Sequence, residues 1–141
     1  FSEYNDEQKM RKAEYDFCYF VLNDERAHLY ERINKRVDIM MENGLLDEVK
    51  ALKEKGYADS LVSMQGVGYK EIIAYLNGII SLEESIELIK KNTRHFAKRQ
   101  LTWFRKEDDV IWVDKQDYDY NDDEILEYMF LHMNRIGIYK I

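Results

Sequence analysis

The sequence predicts a mainly α-helical chain, a helical bundle with one or two short strands at about 15–22 and 110–113. Three observations carry this. Apolar residues recur at the 3.6-residue period over several stretches of helical length. Only two runs combine aromatic and β-branched residues at strand length. Glycines close the periodic stretches, and the 141 residues contain no proline that would break one.

Composition narrows the class. With 45% hydrophobic and 35% charged residues, the chain is one domain, or one domain and a tail, large enough for a real core. No apolar run approaches the roughly 20 residues a membrane span needs. The acidic start, Phe1-Ser2-Glu3-Tyr4-Asn5-Asp6-Glu7, is unlike a secretory signal. The sole cysteine, Cys18, cannot form an internal disulfide, which fits a reducing compartment. A cytoplasmic monomer away from membranes is the expectation. The chain opens on Phe1 rather than Met, as expected of a piece of a longer polypeptide.

In chain order, residues 1–12 are polar and unpatterned. Residues 15–22 form the first strand-like run, closed by Asn23-Asp24. The second run is Val110-Ile111-Trp112-Val113. The two could pair, or each could complete a sheet with other strands; the second arrangement is favoured, because two short runs make a marginal sheet. Asn23 is the expected N-cap of a helix with Leu29, Tyr30, Ile33, Val37, Met40 and Met41 on its inner face. Gly44 is its expected left-handed stop. Residues 45–55 form a shorter helix with Leu45, Leu46, Val49 and Leu52 inward and Gly56 as its end, completing an αα-hairpin. The Met40-Met41 pair reads as core filler.

Gln65-Gly66-Val67-Gly68-Tyr69-Lys70-Glu71 follows a linking segment. Two glycines around a valine allow a sharp turn or a close approach to a ligand before a helix over 70–76. Tyr69 and Lys70 supply a ring and a cation, groups that suit a nucleotide. A plain turn has the same composition. No Gly-Lys-Ser/Thr follows, so this is not a phosphate-cradling P-loop.

Ser81-Leu82-Glu83-Glu84 has the capping-box form and opens one long helix to about residue 106. Leu82, Ile86, Ile89, Phe96 and Trp103 fall on its expected inner face, with Lys91, Arg94, Lys98 and Arg105 along another. Residues 90–106 hold seven Lys/Arg and no acid in a chain of net charge −7, leaving 14 basic residues against 28 acidic elsewhere. A basic island with interleaved aromatics points to a directed contact with an anionic partner. An amphipathic helix with a basic solvent face would look similar, though Thr93, Gln100 and Thr102 add hydrogen-bonding groups suited to phosphates and sugars.

Beyond the second strand, residues 114–123 form an acidic loop and 124–135 a last amphipathic helix with Ile125, Met129 and His132 inward. No metal spacing links His28, His95 and His132, and no Ser/His/Asp or Cys/His grouping emerges. The chain carries no recognisable catalytic centre of its own.

These residues bring a family resemblance into view. Asp24-Glu25-Arg26, Leu29-Tyr30-Glu31-Arg32-Ile33, Arg36-Val37-Asp38, Met41, Gly44-Leu45 and Glu48-Val49 resemble the middle of a bacterial tRNA dimethylallyltransferase, also called tRNA isopentenyltransferase. Gln65 to Glu71, and Thr93-Arg94 with Ala97-Lys98-Arg99-Gln100 and Thr102-Trp103-Phe104-Arg105, resemble two of its C-terminal motifs. Order and spacing agree from Asn23 to about Asp114. Residues 1–22 match less specifically, the tail beyond Asp114 carries no matching motif, and 58–63 lack the proline often seen there.

The resemblance implies the C-terminal part of an enzyme that moves a dimethylallyl group from dimethylallyl diphosphate to N6 of the adenosine 3′ of a tRNA anticodon. The two strands would belong to the core sheet of a larger P-loop α/β enzyme. Its P-loop, its catalytic Asp and its diphosphate site lie outside this sequence, so the chain alone is expected to be inactive. Mg²⁺ is expected to assist the full-length enzyme, and no cofactor is expected in this stretch. Residues 1–141 are read as one fragment: 1–22 lead-in and core strand, 23–107 helical tRNA-binding region, 108–141 strand plus C-terminal helix. The tRNA-contacting set implied is Gln65, Gly66, Val67, Gly68, Tyr69, Lys70, Arg94, Lys98, Arg99 and Arg105, facing the anticodon stem-loop, with the four cations touching its backbone or bridging toward the absent core. An adenylate isopentenyltransferase acting on a free nucleotide shares part of the pattern, but its basic stretch need not be so long. A non-catalytic helical interaction module is the third reading.

Overall fold

The structure, a computed structural model, describes residues 15–138. The chain divides into two compact units, one built from Asp24–Lys106 and the other from the segments on either side of it.

The Asp24–Lys106 unit is helical. Helix α1 (Arg26–Glu42) and helix α2 (Leu45–Glu54) meet at Gly44, whose φ of 95° lies where L side chains rarely go. A 3-10 turn (Val62–Gln65) leads to α3 (Tyr69–Leu76), and α4 (Leu82–Phe104) closes the unit. The core is Val37 of α1, Leu45 and Val49 of α2, Met64, Ile72 and Ile73 of α3, and Ile89 of α4. Met40, Met41, Leu46, Leu52, Leu82 and Ile86 pack around it, so the inner faces of α1 from Val37 onward, of α2 and of the start of α4 are as their periodicity predicts.

The expected cap at Asn23 is corrected. Asn23 ends a strand instead, and α1 starts after Glu25 with no side-chain cap. The neighbouring Asp24 takes the polar work: one carboxylate oxygen accepts the Glu25 N–H at 2.8 Å, and the other meets His28 Nδ1 at 2.7 Å and Arg32 at 3.5 Å. At α4 the capping box holds, with Ser81 Oγ accepting the Glu84 N–H at 3.1 Å and the Glu84 carboxylate accepting the Ser81 N–H at 2.7 Å.

In the other unit, β1 (Tyr19–Asn23) and β2 (Val110–Asp114) pair in parallel, in register from Tyr19↔Val110 to Asn23↔Asp114. The two strands thus pair directly, the first of the two arrangements the sequence left open, and as neighbouring parallel strands they remain compatible with a larger sheet. β2 offers only five ladder positions, which is why β1 starts at Tyr19 rather than at 15. The Asn23 amide donates to Asp114 at 2.5 Å and pins the register. Parallel strands cannot be joined by a hairpin; here residues 24–109 form the connection. A 3-10 turn (Lys115–Tyr118) leads to α5 (Asp122–Arg135), capped by the Asn121 side chain, which accepts the Asp123 N–H at 3.0 Å. Val21, Val113 and Ile125 are buried, and Phe20 meets His132 edge to face at 5.8 Å. Among the described residues no helix is long and apolar enough to cross a membrane.

Candidate nucleic-acid interface

The glycine motif folds as the 3-10 turn, a reversal at Gly66–Gly68 and the first turn of α3. Gly66 O accepts the Tyr69 and Lys70 N–H groups, each at 3.2 Å. Gly68 has φ 104° and ψ −53°, a conformation a Cβ would strain. Gly66 has φ −61° and ψ 152°, ordinary extended backbone, and an added Cβ would meet only the Ser63 carbonyl at 3.5 Å. Gly68 is demanded by the fold and Gly66 is not.

Gln65, Val67 and Lys70 present side chains to solvent, while Gly68 is buried and Tyr69 half-buried against the core. Gln65 is held by donating to the Asp59 carbonyl at 2.5 Å. The Asp59 carboxyl is in turn fixed by the Asn77 amide at 3.0 Å and Lys53 at 3.2 Å, and those partners hold it below the ordinary carboxylate range. The Tyr69 hydroxyl donates to Glu48 of α2, which pushes its pKa up. That contact ties the ring to the helical core. Of the two groups read as nucleotide-facing, Lys70 is exposed and Tyr69 is only partly so.

Beneath the reversal sits Glu71, 2% exposed. Its Oε2 accepts the Gly68 N–H at 2.8 Å, its Oε1 accepts the Asn92 amide of α4 at 2.6 Å, and Lys70 Nζ lies 3.8 Å from Oε1.

Asn92 is where α4 changes character. Ser85 and Ile89 are its buried residues, and none follows Ile89. Phe96 and Trp103, expected on the inner face, are 48% and 54% exposed. The helical period continues, but the core that would receive it ends with Ile89. Lys90 is clamped by Asp38 at 2.8 Å and Glu87 at 3.1 Å, which raises its pKa, Asp38 contributing most. Arg94 donates to Asn34 of α1 at 2.5 Å. Lys98, Arg99 and Arg105 are exposed, and no described carboxylate lies within ion-pair distance of them.

Two of the expected cations meet at one place. Lys98 and Arg99, with His95, Thr102, Trp103 and Lys106, line an open concavity of about 480 Å³. Arg99 stands over the Phe96 ring at 5.7 Å, and Trp103 meets Phe104 edge to face at 5.1 Å. Arg94 borders a different concavity with Lys91 and Leu88, and Arg105 lies outside both. Unpaired guanidinium and ammonium groups beside exposed rings can hold phosphates and stack bases. From Asn92, beside the glycine loop, Lys98 is about 9 Å along the helix and Arg105 about 20 Å. Sequence reasoning did not assign a role to Glu71 or Asn92. The Ser/Glu-like spacing from Gly68 to Glu71 was the available signal.

Comparisons with known proteins bear on this arrangement. The family model described as IPP transferase matches residues 1–107. The tRNA dimethylallyltransferase of Lachnoclostridium phytofermentans is 58% identical over 117 residues, covering 83% of this chain and 37% of that protein. The crystal structure of the tRNA delta(2)-isopentenylpyrophosphate transferase of Staphylococcus epidermidis superposes with TM-score 0.82 at 36% identity, over 97% of this chain and 43% of that one. That of the full-length tRNA isopentenylpyrophosphate transferase of Bacillus halodurans gives 0.75 at 42% identity, over 90% and 42%. The chain thus spans well under half the length of these relatives. With the family model matched over most of its residues, and its folded elements following two solved members, this chain belongs to the IPP transferase family.

Proposed function

We propose that these residues form the tRNA-holding part of a tRNA dimethylallyltransferase. In that reaction the N6 amine of the adenosine 3′ of the anticodon attacks the dimethylallyl carbon of dimethylallyl diphosphate, and diphosphate leaves with Mg²⁺ assisting. The observation that carries the reading is the exposed basic half of α4, free of described carboxylate partners and hydrogen-bonded through Asn92 to the base of the glycine loop. The name of the 58% identical relative supports the substrate class.

The roles divide by exposure. Gln65, Gly66, Val67 and Lys70 line the rim offered to the anticodon loop, with Gly68 and Tyr69 shaping it. Gly66 leaves room for close approach of a nucleotide, since the local backbone has no need of a glycine there. Lys98, Arg99 and Arg105 hold the phosphate backbone, with Arg94 set against α1. Extruding the target base from its stack suits a rigid rim of this kind. The 141 residues bind tRNA but do not catalyse, and the prenyl donor and Mg²⁺ are handled by residues outside them.

Fluorescence anisotropy of this chain against an unmodified anticodon stem-loop, over a salt series, tests the reading. Binding that weakens with salt and weakens again when the purine 3′ of the anticodon is changed is the expected result. Salt-sensitive binding without base preference reduces the segment to backbone positioning. An absence of binding that persists when the rest of the enzyme is supplied overturns it.

A further inference from the structure

We infer that Glu71 is a positioning residue that locks the glycine loop to α4 and so sets the spacing between the two tRNA-facing segments; the inference rests on the proposed function. The chain offers an internal comparison. Glu84 and Glu71 both stand three residues after a helix N-cap, and both accept the N-cap N–H, at 2.7 Å and 2.8 Å. Glu84 does so in solvent, as an ordinary cap. Glu71 is buried, although burying a carboxylate is costly unless its oxygens are satisfied.

Both oxygens are satisfied, in different directions. Oε2 takes the buried Gly68 N–H, at the one position of the loop whose backbone only glycine adopts easily. Oε1 takes the Asn92 amide at 2.6 Å, across 21 residues, where the exposed basic half of α4 begins. The same oxygen lies 3.8 Å from the Lys70 ammonium, which is itself 42% exposed. One carboxylate therefore fixes the turn, lies within ion-pair distance of the rim cation and ties the turn to the helix bearing Lys98 and Arg99. A cap needs only the first of these contacts. The other two have no local purpose in starting α3.

The test compares this chain with Glu71→Ala, Asn92→Ala and the exchanged pair Glu71→Gln with Asn92→Asp. In the exchanged pair, the new amide's carbonyl oxygen can accept the Gly68 N–H from α3, while its NH₂ donates to the new carboxylate on α4. Circular dichroism melts establish that each variant folds. Amide hydrogen exchange at Gly68 and stem-loop affinity across a salt series are then read. Asn92→Ala is expected to lose about tenfold in affinity with an unchanged salt slope, because no phosphate contact is removed. Gly68 should exchange faster in Glu71→Ala, and the exchanged pair should recover affinity and protection. Wild-type affinity in folded Asn92→Ala, or a folded exchanged pair that recovers neither, overturns the inference. If Glu71→Ala does not fold, Asn92→Ala and the exchanged pair decide. If the unsubstituted chain binds no RNA even when the rest of the enzyme is supplied, the tRNA reading is what fails. Gly68 protection then judges the lock alone, and protection unchanged by Asn92→Ala and Glu71→Ala sinks it.

Discussion

Arg94 of α4 donates through Nη1 to Asn34 Oδ1 of α1 at 2.5 Å, joining two helices across 60 positions of sequence. Its half-buried guanidinium is anchored on one side, unlike those of Arg99 and Arg105. Arg94→Ala and Asn34→Ala should each destabilise the helical unit by about 1 kcal/mol, the scale of a hydrogen bond to a charged, partly exposed group. The double variant should cost little more than either single one. Urea melts of the four proteins check this; additive losses would mean the pair is incidental.

Gly66 and Gly68 separate stability from binding. Gly68→Ala must hold φ near 104°, and it should destabilise by about 1–3 kcal/mol. Gly66→Ala meets ordinary backbone and only a van der Waals contact with the Ser63 carbonyl at 3.5 Å, so its stability should be unchanged or raised, by at most about 1 kcal/mol. The same Gly66 methyl should weaken stem-loop binding if a nucleotide approaches there. Thermal melts and anisotropy on both variants distinguish the two costs.

The exposed cations make a quantitative claim about salt. Lys98→Ala, Arg99→Ala and Arg105→Ala should each flatten the slope of log affinity against log salt by about 0.7–0.9, one phosphate contact apiece. Trp103→Ala, which removes a 54%-exposed ring, should leave the slope intact and cost about 1–3 kcal/mol if a base stacks on it. Unaltered binding in all four would return the basic half of α4 to an ordinary solvent face.

The α4 cap predicts a pH effect with a definite sign. The Ser81 backbone N–H, followed by the Ser81 side chain, holds the Glu84 carboxyl below its ordinary value of 4.5. The folded state then binds that proton less readily than the unfolded chain. Its stabilisation is complete above pH 4.5 and is lost as pH falls through the lowered native value. Melting temperatures of wild type and Glu84→Gln should differ near neutrality and converge in acid. A difference that grows as the pH drops below that ordinary value would contradict the assignment.

The helical order was legible because it is written in local chemistry. Ser81 and Glu84 mark the start of α4, Gly44 separates α1 from α2, and the 3.6-residue period points Val37, Val49 and Ile89 to one core. Residue identity and spacing suffice for such features. The family was legible too, since its motifs are linear strings. Other features depend on residues distant in sequence. Asn23 looks like a cap, yet its partner is Asp114, 91 positions away. Periodicity points Phe96 and Trp103 inward, yet the core stops at Ile89 and leaves them in solvent. The pairing of β1 with β2 and the burial of Glu71 against Asn92 are likewise settled by packing between segments that sequence spacing does not relate. The sequence by itself determined which elements form and which family they belong to. Tertiary structure alone decided which of their polar groups are locked and which are free for a ligand, because burial and partnership are set by what each element packs against.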